Sequence, residues 1–564
     1  MKEVNVFGKP GGNWSTADYA VLAFLVAAAG FLFLSGLSVR SLWGSEGRWA
    51  VIAREMMQSG HYFLPTINGE VYFDKPLMSY WAIIPFSYFG GVTEASARIP
   101  GALAGIATVG LIFVIGRKMF GRVSGFASGA ILLTTVMFGF WSRTASAETL
   151  NVLAIWLMLW AIPASGEDRS FGRYLLFYIV AAISSFCKGP LAPAVALIAV
   201  CAISCVEAIH DSRKNNSPNA WRTFTGHFHW ILSGKGFLAA LCGLTMFAFL
   251  LFLPVMVSGS WNAVELMWRE NVVRFVKPFD HVEPFYIYLK YIPIFLLPWT
   301  FVMIASLFTV PHWEKNSQRR WIVTATIAIF LFFTISGSRR SYYILPIVPA
   351  CALIMGRSLC VFFARITREE NHDIIKYGLI ITGFLPLIAG CALIAAYLGF
   401  PEYRHLTELI IGPVVIIGSV AALFFLLKGK NVIGAGLTGL LLFALLFWAN
   451  TAGGVIGERS RTLRTFADQT TAYITGAGDD RLALYGVGNS SLIFYLNRSR
   501  PIRKLHDANE ACAFLKNEGR YLLTEPPFVD ILKKQCGGQS FIRVVTQVPE
   551  DKKAREGLVL LQSR

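Results

Sequence analysis

Charged residues are scarce in this 564-residue chain and make up only 15% of it, whereas 55% of the residues are apolar and the mean hydropathy is +0.53. A soluble fold cannot hide that much apolar surface, so the low charge excludes an ordinary soluble protein. Acidic residues are fewer than basic ones: the chain has 34 Asp and Glu and 51 Lys and Arg, which gives a net charge of +17. The composition therefore indicates a polytopic α-helical membrane protein.

The excess of positive charge does not gather on one basic face, as nucleic-acid binding would require. Lys and Arg are spread over the loops between hydrophobic runs, which is the distribution described by the positive-inside rule. We therefore expect a lipid bilayer around the chain and no nucleic-acid partner.

Patterns that bind metals or nucleotides are also missing. Seven of the nine cysteines lie in or beside apolar runs without the spacing of metal ligands. His227 and His229 stand close together in a basic loop but have no companion ligands, and no Gly-rich phosphate-binding loop is present. The other two cysteines, Cys512 and Cys536, lie in a polar tail, where they can form a disulfide if the tail is outside the cytoplasm.

Thirteen apolar segments are predicted to span the membrane. They cover residues 18–39, 98–116, 123–141, 147–165, 174–188, 189–210, 237–258, 285–310, 321–337, 343–363, 377–399, 409–427 and 432–449. The first lacks a clean cleavage site, so we predict no cleaved signal peptide. Met78 to Gly91 is apolar but short, and it contains Pro85. We interpret it as interfacial or re-entrant, because a span there would place the basic loops outside.

With a cytoplasmic N-terminus, this arrangement puts the loop 40–97 and the polar tail outside. The tail alternates short apolar runs with polar turns, which predicts a small α/β domain. We therefore expect a transmembrane domain over residues 1–449, including the external loop 40–97, and a soluble domain over residues 450–564.

The longest polar interruption near the start of the chain is Leu42 to Pro76. Apolar residues recur in it at helical spacing, at Trp49, Ile52, Ala53, Met56 and Met57. This pattern predicts a helix from Glu46 to Met57 of the kind that lies flat at a bilayer surface. Gly60 can end the helix, and Asn68-Gly69 marks the tightest turn of an irregular arm after it. Charges massed at a membrane edge are costly unless they serve a site, so we expect chemistry here.

The same stretch resembles the first external loop of the bacterial GT-C polyprenyl-phosphate-sugar glycosyltransferases. That group contains the lipid A aminoarabinose transferases and, more distantly, the protein O-mannosyltransferases. In the family the loop opens with Asp-Glu-x-Arg-Tyr-Ala and closes with Tyr-Phe-Glu-Lys-Pro. This chain has Ser-Glu-Gly-Arg-Trp-Ala at residues 45–50 and Tyr-Phe-Asp-Lys-Pro at residues 72–76. Ser45 replaces the family's first Asp, which leaves Glu46 as the only carboxylate at the start of the helix.

The resemblance implies two external carboxylates in catalytic roles, Glu46 and Glu148. Glu148 stands at the external entrance of an apolar helix, where the relatives have an Asp. One carboxylate would remove the proton of the acceptor, and the other would position the acceptor or a bound cation. The alternative for each is a carboxylate favoured by the dipole at a helix start. The resemblance implies no certain cofactor, and a divalent cation stays open.

A sugar linked to a polyprenyl phosphate implies a cationic site near the outer membrane surface. The candidates are Lys75, Lys188, Arg269, Arg274, Lys277, Arg339 and Arg340, together with Tyr343. Lys75 lies in the family-like Asp-Lys-Pro, and Arg274 matches an Arg-Phe of the family. Arg339, Arg340 and Tyr343 match a segment in which a Tyr before Ile-Leu-Pro contacts the lipid phosphate. Snorkelling to lipid headgroups is the alternative for the two arginines. Asp74 and Arg54 are supporting residues.

The resemblance thus implies an inner-membrane GT-C enzyme whose active site and soluble domain face the periplasm. It would move a sugar, with inversion, from an undecaprenyl-phosphate donor to lipid A or another envelope glycolipid or glycan. A protein acceptor is the alternative within the same fold. A transporter or flippase fits less well, because the carboxylates lie in external loops and no internal repeat is evident. The missing nucleotide-binding loop also fits a lipid-linked donor better than a nucleotide sugar.

Overall fold

The computed structural model describes residues 12–73, 75–162, 170–214, 225–259, 261, 264–265, 268–269, 273, 283–365, 373–400, 405–458, 461–475, 478–536, 541–546 and 557–563. The chain divides into two compact units. The membrane unit comprises Met1–Ser35, Asp74–Ser79 and Arg98–Asn450, and the head unit comprises Gly36–Phe73, Tyr80–Ala97 and Thr451–Arg564. The loop that the sequence assigned to the transmembrane domain thus falls mostly in the same unit as the tail, and the predicted domain boundaries stay a prediction.

Among the described residues, ten helices are long and apolar enough to cross a membrane. They are Thr16–Leu34, Glu94–Phe120, Phe171–Lys188, Leu191–Lys214, Gly234–Val257, Ser317–Ile335, Ser341–Ala364, Ile374–Gly399, Leu406–Leu427 and Asn431–Asn450. Two further pairs qualify together but are bent, Arg122–Leu133 with Val136–Ser142 by 67° and Ile287–Phe295 with Thr300–His312 by 109°. Glu148–Ala161 is apolar but shorter. Each predicted span corresponds to one of these helices or pairs, which confirms the polytopic helical architecture.

Small residues and one buried ion group hold neighbouring helices of the membrane unit together. A Cβ on Gly356 would lie 2.1 Å from Oγ of Ser128, so the helix Val348–Arg365 can approach Arg122–Leu133 only with glycine there. Asp18 near the start of the first span accepts hydrogen bonds from Arg117 at 3.0 Å and from Arg122 at 2.8 Å. These contacts satisfy a carboxylate whose burial would otherwise be costly.

The external loop begins with a helix, Glu46–Ser59, which we call the loop helix. Gly60 ends it with a φ of 72°, as predicted, and donates its N–H to the carbonyl of Met56 at 3.0 Å. Strands β1 (Thr66–Ile67) and β2 (Glu70–Val71) then form an antiparallel hairpin. Its turn is Asn68-Gly69, with φ values of 55° and 76°, so the predicted tight turn is confirmed. The arm is a hairpin, however, and not the irregular segment expected.

Protein covers the apolar face of the loop helix, and its predicted position flat on a bilayer surface stays a prediction. Most of its residues are buried, including the charged Glu46 and Arg54. A Cβ on Gly47 would lie 2.4 Å from Oγ of Ser491, in the tail helix Ser490–Leu496. The apolar pattern of the helix is satisfied by this tail helix, which no local sequence pattern reveals. The predicted interfacial segment from Met78 contains two one-turn helices, Met78–Trp81 and Ile84–Ser87.

The tail forms a small α/β domain around a five-stranded sheet, as predicted. Its strands are β3 (Leu482–Tyr485), β4 (Arg503–Leu505), β5 (Tyr521–Thr524), β6 (Phe541–Thr546) and β7 (Val559–Ser563), in the order β4-β3-β5-β7-β6. β3 pairs parallel with β4 and β5, whereas β7 pairs antiparallel with β5 and β6. The accompanying helices are Ala452–Glu458, Leu463–Ile474, Ser490–Leu496, Ala508–Leu515 and Pro526–Gln535. A disulfide links Cys512, in the helix Ala508–Leu515, to Cys536, which directly follows Pro526–Gln535, with 5.2 Å between the Cα atoms.

Candidate active site

The membrane unit brings together several predicted site residues that lie far apart in the sequence. Lys188 ends the helix Phe171–Lys188, where a cation is favoured by the helix dipole. Glu148 begins the helix Glu148–Ala161, where a carboxylate is favoured. The Lys188 ammonium donates a hydrogen bond to Oε1 of Glu148 at 2.5 Å, and both side chains are largely buried. No residue that the structure describes donates to the other oxygen, Oε2.

Two aromatic rings lie against this ion pair. The Lys188 nitrogen is 4.6 Å from the ring centroid of Tyr343 and 5.7 Å from that of Tyr342. Arg340 donates a hydrogen bond to the Tyr342 hydroxyl at 2.9 Å. We call Glu148, Lys188, Arg340, Tyr342 and Tyr343 the Lys188 cluster. It combines two cations, two phenol hydroxyls and a carboxylate, which suits a phosphate ester whose leaving group gains negative charge.

Sequence reasoning missed Tyr342, which both cations of the cluster contact. Its ring packs against that of Trp141, with 4.5 Å between the centroids. The only signal for Tyr342 in the sequence was its position beside Tyr343. Arg339 was predicted to join Arg340 at the phosphate. It instead donates to the carbonyls of Thr334, at 3.1 and 3.2 Å, and Glu283, at 2.7 Å.

Buried polar atoms without partners occur on the helix that begins with Glu148 and elsewhere in the membrane unit. Asn151, one helical turn after Glu148, is 2% exposed, and neither atom of its amide has a partner among the described residues. Within that part of the chain the hydroxyls of Tyr288 and Ser338 are likewise buried and unpaired. Unpaired buried polar groups are costly, so a site that binds a polar ligand is where they are expected. Sequence reasoning missed Asn151 as well, although it lies one turn from a predicted residue.

In the head unit, the predicted catalytic residue Glu46 is 1% exposed. Both of its carboxylate oxygens lie 3.4 Å from Nη2 of Arg40, and Oε2 also accepts the backbone N–H of Trp43 at 3.2 Å. These contacts close the turn that starts the loop helix. Ser45 precedes it without a capping hydrogen bond, and the Glu46 carboxylate accepts from Trp43 in the turn before the helix.

Arg54, a predicted supporting residue, connects the loop helix to the tail. Its guanidinium donates to the carbonyls of Ile493 and Phe494 at 3.0 and 2.8 Å, and to Oδ1 of Asn497 at 3.0 Å. These acceptors close the end of the tail helix Ser490–Leu496, where a cation is favoured. Burial lowers the pKa of Arg54 below its ordinary value, and the nearby Glu55 opposes that shift. These contacts indicate a role in holding the loop helix in place.

The remaining predicted phosphate ligands are Lys75, Arg269, Arg274 and Lys277. Lys75 is partly buried at the start of the chain's second passage through the membrane unit. Its neighbour Asp74 lies outside the described residues, as do Arg274 and Lys277. Arg269 is described and exposed. Their parts in binding a phosphate stay predictions.

A group of metal-ligand type lies elsewhere in the membrane unit. Ligand atoms of Glu207, His210 and Asp211 lie within 4.8 Å of one another. Glu207 already accepts two hydrogen bonds from Arg320, at 2.9 and 2.6 Å, and Asp211 lies 3.1 Å from Nε2 of His227. His229 contacts a tyrosine hydroxyl and does not join His227. The carboxylates of Glu207 and Asp211 therefore have partners of their own. His227 and His229 do not lie at a shared site.

Comparison with known proteins gives matches to a family model and to curated transferases. The family model for dolichyl-phosphate-mannose-protein mannosyltransferases matches residues 74–221. The undecaprenyl phosphate-alpha-4-amino-4-deoxy-L-arabinose arabinosyl transferase of Shewanella sediminis is 26% identical over 439 residues, which are 74% of each chain. The protein of the same name from Serratia proteamaculans is 24% identical over 427 residues, 73% of this chain and 70% of the relative.

Solved structures extend the similarity over almost the whole chain. ArnT from Cupriavidus metallidurans, bound to undecaprenyl phosphate, matches with a TM-score of 0.69 at 18% identity, covering 97% of this chain and 98% of that one. The apo structure of the same protein gives a TM-score of 0.70. The GT-C membrane fold predicted from the loop motif is therefore confirmed, as is the resemblance to polyprenyl-phosphate-sugar glycosyltransferases.

Proposed function

We propose that this GT-C chain transfers a sugar from an undecaprenyl-phosphate-linked donor to an envelope glycolipid, with lipid A as the first acceptor to test. The proposal depends chiefly on the fold match to a protein whose structure contains bound undecaprenyl phosphate. That match covers nearly all of both chains. The names of the curated relatives support the same donor class, because each specifies an undecaprenyl phosphate-linked aminoarabinose. The Lys188 cluster supplies groups of the kind that such chemistry needs.

The transfer is a displacement at the anomeric carbon of the donor sugar. An oxygen of the acceptor attacks that carbon from the face opposite the phosphate, and the bond between carbon and phosphate oxygen breaks. Undecaprenyl phosphate leaves with one more negative charge than it had in the donor. The proton of the acceptor passes to a carboxylate of the enzyme, and the sugar is inverted.

The cations of the Lys188 cluster are proposed to stabilise the departing phosphate. Lys188 is held between Glu148 and the ring of Tyr343, so its ammonium needs little reorganisation when charge develops. Arg340 and the two tyrosine hydroxyls can donate to other phosphate oxygens. Lys75 and Arg274 are proposed as further ligands on the strength of the family pattern, whereas the carbonyl contacts of Arg339 favour a structural part for that residue.

Glu148 and Glu46 are the proposed catalytic carboxylates. Glu148 is favoured as proton acceptor, because Lys188 orients one oxygen and no described residue donates to the other. Glu46 is the only carboxylate at its helix start and is proposed to act through Arg40 or directly on the acceptor. A cationic side chain pairs with each carboxylate, so each already has the positive partner that a divalent cation would otherwise provide.

We further propose that the active site faces the periplasm from the inner membrane. Basic loops between the spans support a cytoplasmic N-terminus, and the disulfide supports a tail outside the cytoplasm. Reporters fused after Arg564 and inserted near Asn215 test this arrangement. The first should report the periplasm and the second the cytoplasm, and a shared compartment would contradict the thirteen-span topology.

Transfer to protein is the second candidate, because the matching family model is that of protein mannosyltransferases. Mass spectrometry of envelope lipids and glycoproteins from a deletion strain distinguishes the two. The first proposal predicts that lipid A or another glycolipid loses the mass of one sugar and regains it when the gene is restored. Loss from glycoproteins alone, with unchanged lipids, would move the assignment to a protein acceptor.

A further inference from the structure

The head unit contains a cavity of about 330 Å³ that the proposed transfer reaction does not use. It lies between the second half of the loop helix, the β1–β2 hairpin and tail residues 498–502. This volume is at the lower end for small-molecule sites and suits one substituted sugar ring. Three arginines line the cavity, Arg54, Arg498 and Arg500, against a single carboxylate, Glu55.

The carboxylate of Glu55 is not available to neutralise these arginines fully, because it is engaged by the hairpin. It accepts hydrogen bonds from Oγ1 of Thr66 at 2.6 Å and from the backbone N–H groups of Asn68 at 2.6 Å and Gly69 at 3.1 Å. The hairpin thus satisfies the one negative group of the wall. The cavity keeps an excess of positive charge.

Among the three arginines that line the cavity, Arg498 has the most donors that are both buried and without a described partner. Its side chain is 19% exposed, and Nη1 lies 3.5 Å from Oδ1 of Asp479. Nε and Nη2 are buried and have no partner among the described residues. The same is true of Nε of Arg54, a residue that is only 8% exposed. Buried donors without partners on a charged group are costly, so an anion in the cavity toward which these guanidinium groups can turn would relieve that cost.

The rest of the lining indicates what such a ligand looks like. A guanidinium presents a planar fork that matches phosphate or carboxylate oxygens. Part of the wall is apolar and is formed by Leu64, Pro501 and Ile502. Another part carries the amide of Gln58 and the hydroxyl of Ser499. The C–H faces of a sugar ring fit the first kind of surface, and its hydroxyls fit the second. The lining therefore matches an anionic saccharide better than a bare inorganic anion.

We propose that this cavity binds an anionic sugar unit of the acceptor, a phosphorylated or carboxylated ring that is not the one being modified. The assignment of that unit to the acceptor rests on the proposed function. The loop helix carries Arg54 eight residues after Glu46, a separation of about 12 Å along the helix axis. An acceptor of several sugar units can therefore bind here through one ring while another lies at the loop-helix start.

Binding is tested first without transfer, using full-length protein in nanodiscs and glucose 1-phosphate as probe, with glucose as its neutral partner. Calorimetry should detect the phosphate ester and not glucose. Arg498→Gln should weaken binding at least tenfold, and Arg498→Lys should recover part of the loss. The exposed Arg500→Gln should weaken it less. Arg543→Gln, on an exposed position of β6, is the charge-matched control and should change nothing.

Asp479→Asn gives a change of opposite sign, which a misfolded variant cannot imitate. Removing the negative charge weakens the attraction between Asp479 and Nη1 of Arg498 and should tighten binding of glucose 1-phosphate severalfold. Equal binding by wild type and Arg498→Gln, or equal affinity for glucose and glucose 1-phosphate, would overturn the site.

Whether the bound anionic sugar belongs to the acceptor is tested by transfer kinetics with a phosphorylated glycolipid. Arg498→Gln should raise KM for that acceptor about tenfold while kcat and the donor KM stay unchanged. If the variant lost glucose 1-phosphate but kept its acceptor KM, the cavity would serve a free sugar phosphate and the acceptor assignment would be overturned. If wild type bound the probe but transferred no sugar, the proposed function would fail and the anion site would stand.

Discussion

Lys188 donates a hydrogen bond to Glu148 at 2.5 Å, so the last residue of one helix is paired with the first residue of another. Each residue stands at the helix end that favours its charge. The pair is therefore stable without substrate, and the Tyr343 ring beside it limits where the ammonium can move. A phosphate that approaches this cluster meets a cation already in position.

The pair predicts strongly coupled effects of mutation on turnover. Glu148→Gln and Lys188→Met should each reduce it by about 10²-fold, the size expected for a lost proton acceptor or phosphate ligand. The double variant should be little worse than either single one, because residues that act as a unit are not additive. Transfer by reconstituted protein measures this, with Glu518→Gln on the exposed tail as control. Full additivity would mean that the two residues act independently.

Glu46→Gln should also reduce turnover by about 10²-fold if the carboxylate takes part in proton transfer. The matched variant is Arg40→Gln, which removes the contact at 3.4 Å but leaves the carboxylate in place. A direct role predicts a much milder effect of Arg40→Gln. Equal losses of turnover in the two variants would assign Glu46 a positioning role through Arg40. A lower melting temperature with unchanged turnover would mean that Glu46 only stabilises the start of the loop helix.

Lys75→Ala should lower turnover even at saturating donor, because a fixed cation acts mainly on charge that grows in the transition state. Lys75→Arg should restore only part of it, since a planar fork replaces a compact charge. The exposed Lys290→Ala is the control. A wild-type rate at saturating donor would show that Lys75 contributes uniform binding only. Unchanged rate and donor affinity together would make it a headgroup anchor.

Arg54→Met should destabilise the head unit by about 1.5–3 kcal/mol for each charged hydrogen bond whose loss is not repaired by water. The buried carbonyls of Ile493 and Phe494 would lose their donor. The expected readout is faster proteolysis of the tail and a lower melting temperature. Arg54→Lys should rescue little, because one ammonium cannot reach all three acceptors as the guanidinium does. An unchanged melting temperature would remove the structural role assigned to this residue.

The disulfide between Cys512 and Cys536 closes a loop between two residues that are 24 positions apart in the sequence. A loop of that length is expected to stabilise a domain by about 3 kcal/mol. Purified protein should therefore show no thiol at these positions until it is reduced, and Cys512→Ser with Cys536→Ser should make the tail more sensitive to protease. Labelling of both thiols in protein isolated from intact envelopes without reductant would contradict the pairing.

Local patterns predicted much of this molecule, and what they missed depends on long-range pairing. Hydrophobic length located the long apolar helices of the described residues. Gly60 and Asn68-Gly69 marked a helix end and a turn, because their backbone needs are local. The pairing of Lys188 with Glu148 was not predictable, since 40 residues separate them. The tail helix that covers the loop helix, and the cavity beside Arg498, likewise depend on contacts across more than 400 residues.

The most direct test is transfer by purified protein in nanodiscs, given an undecaprenyl-phosphate-linked aminoarabinose and lipid A. Mass spectrometry should show lipid A heavier by one sugar, with release of undecaprenyl phosphate in equal amount. Glu148→Gln should nearly abolish both products, and Glu518→Gln should not. An intact donor and unmodified acceptor in the wild-type reaction, or undiminished product with Glu148→Gln, would contradict the proposed transfer and its site.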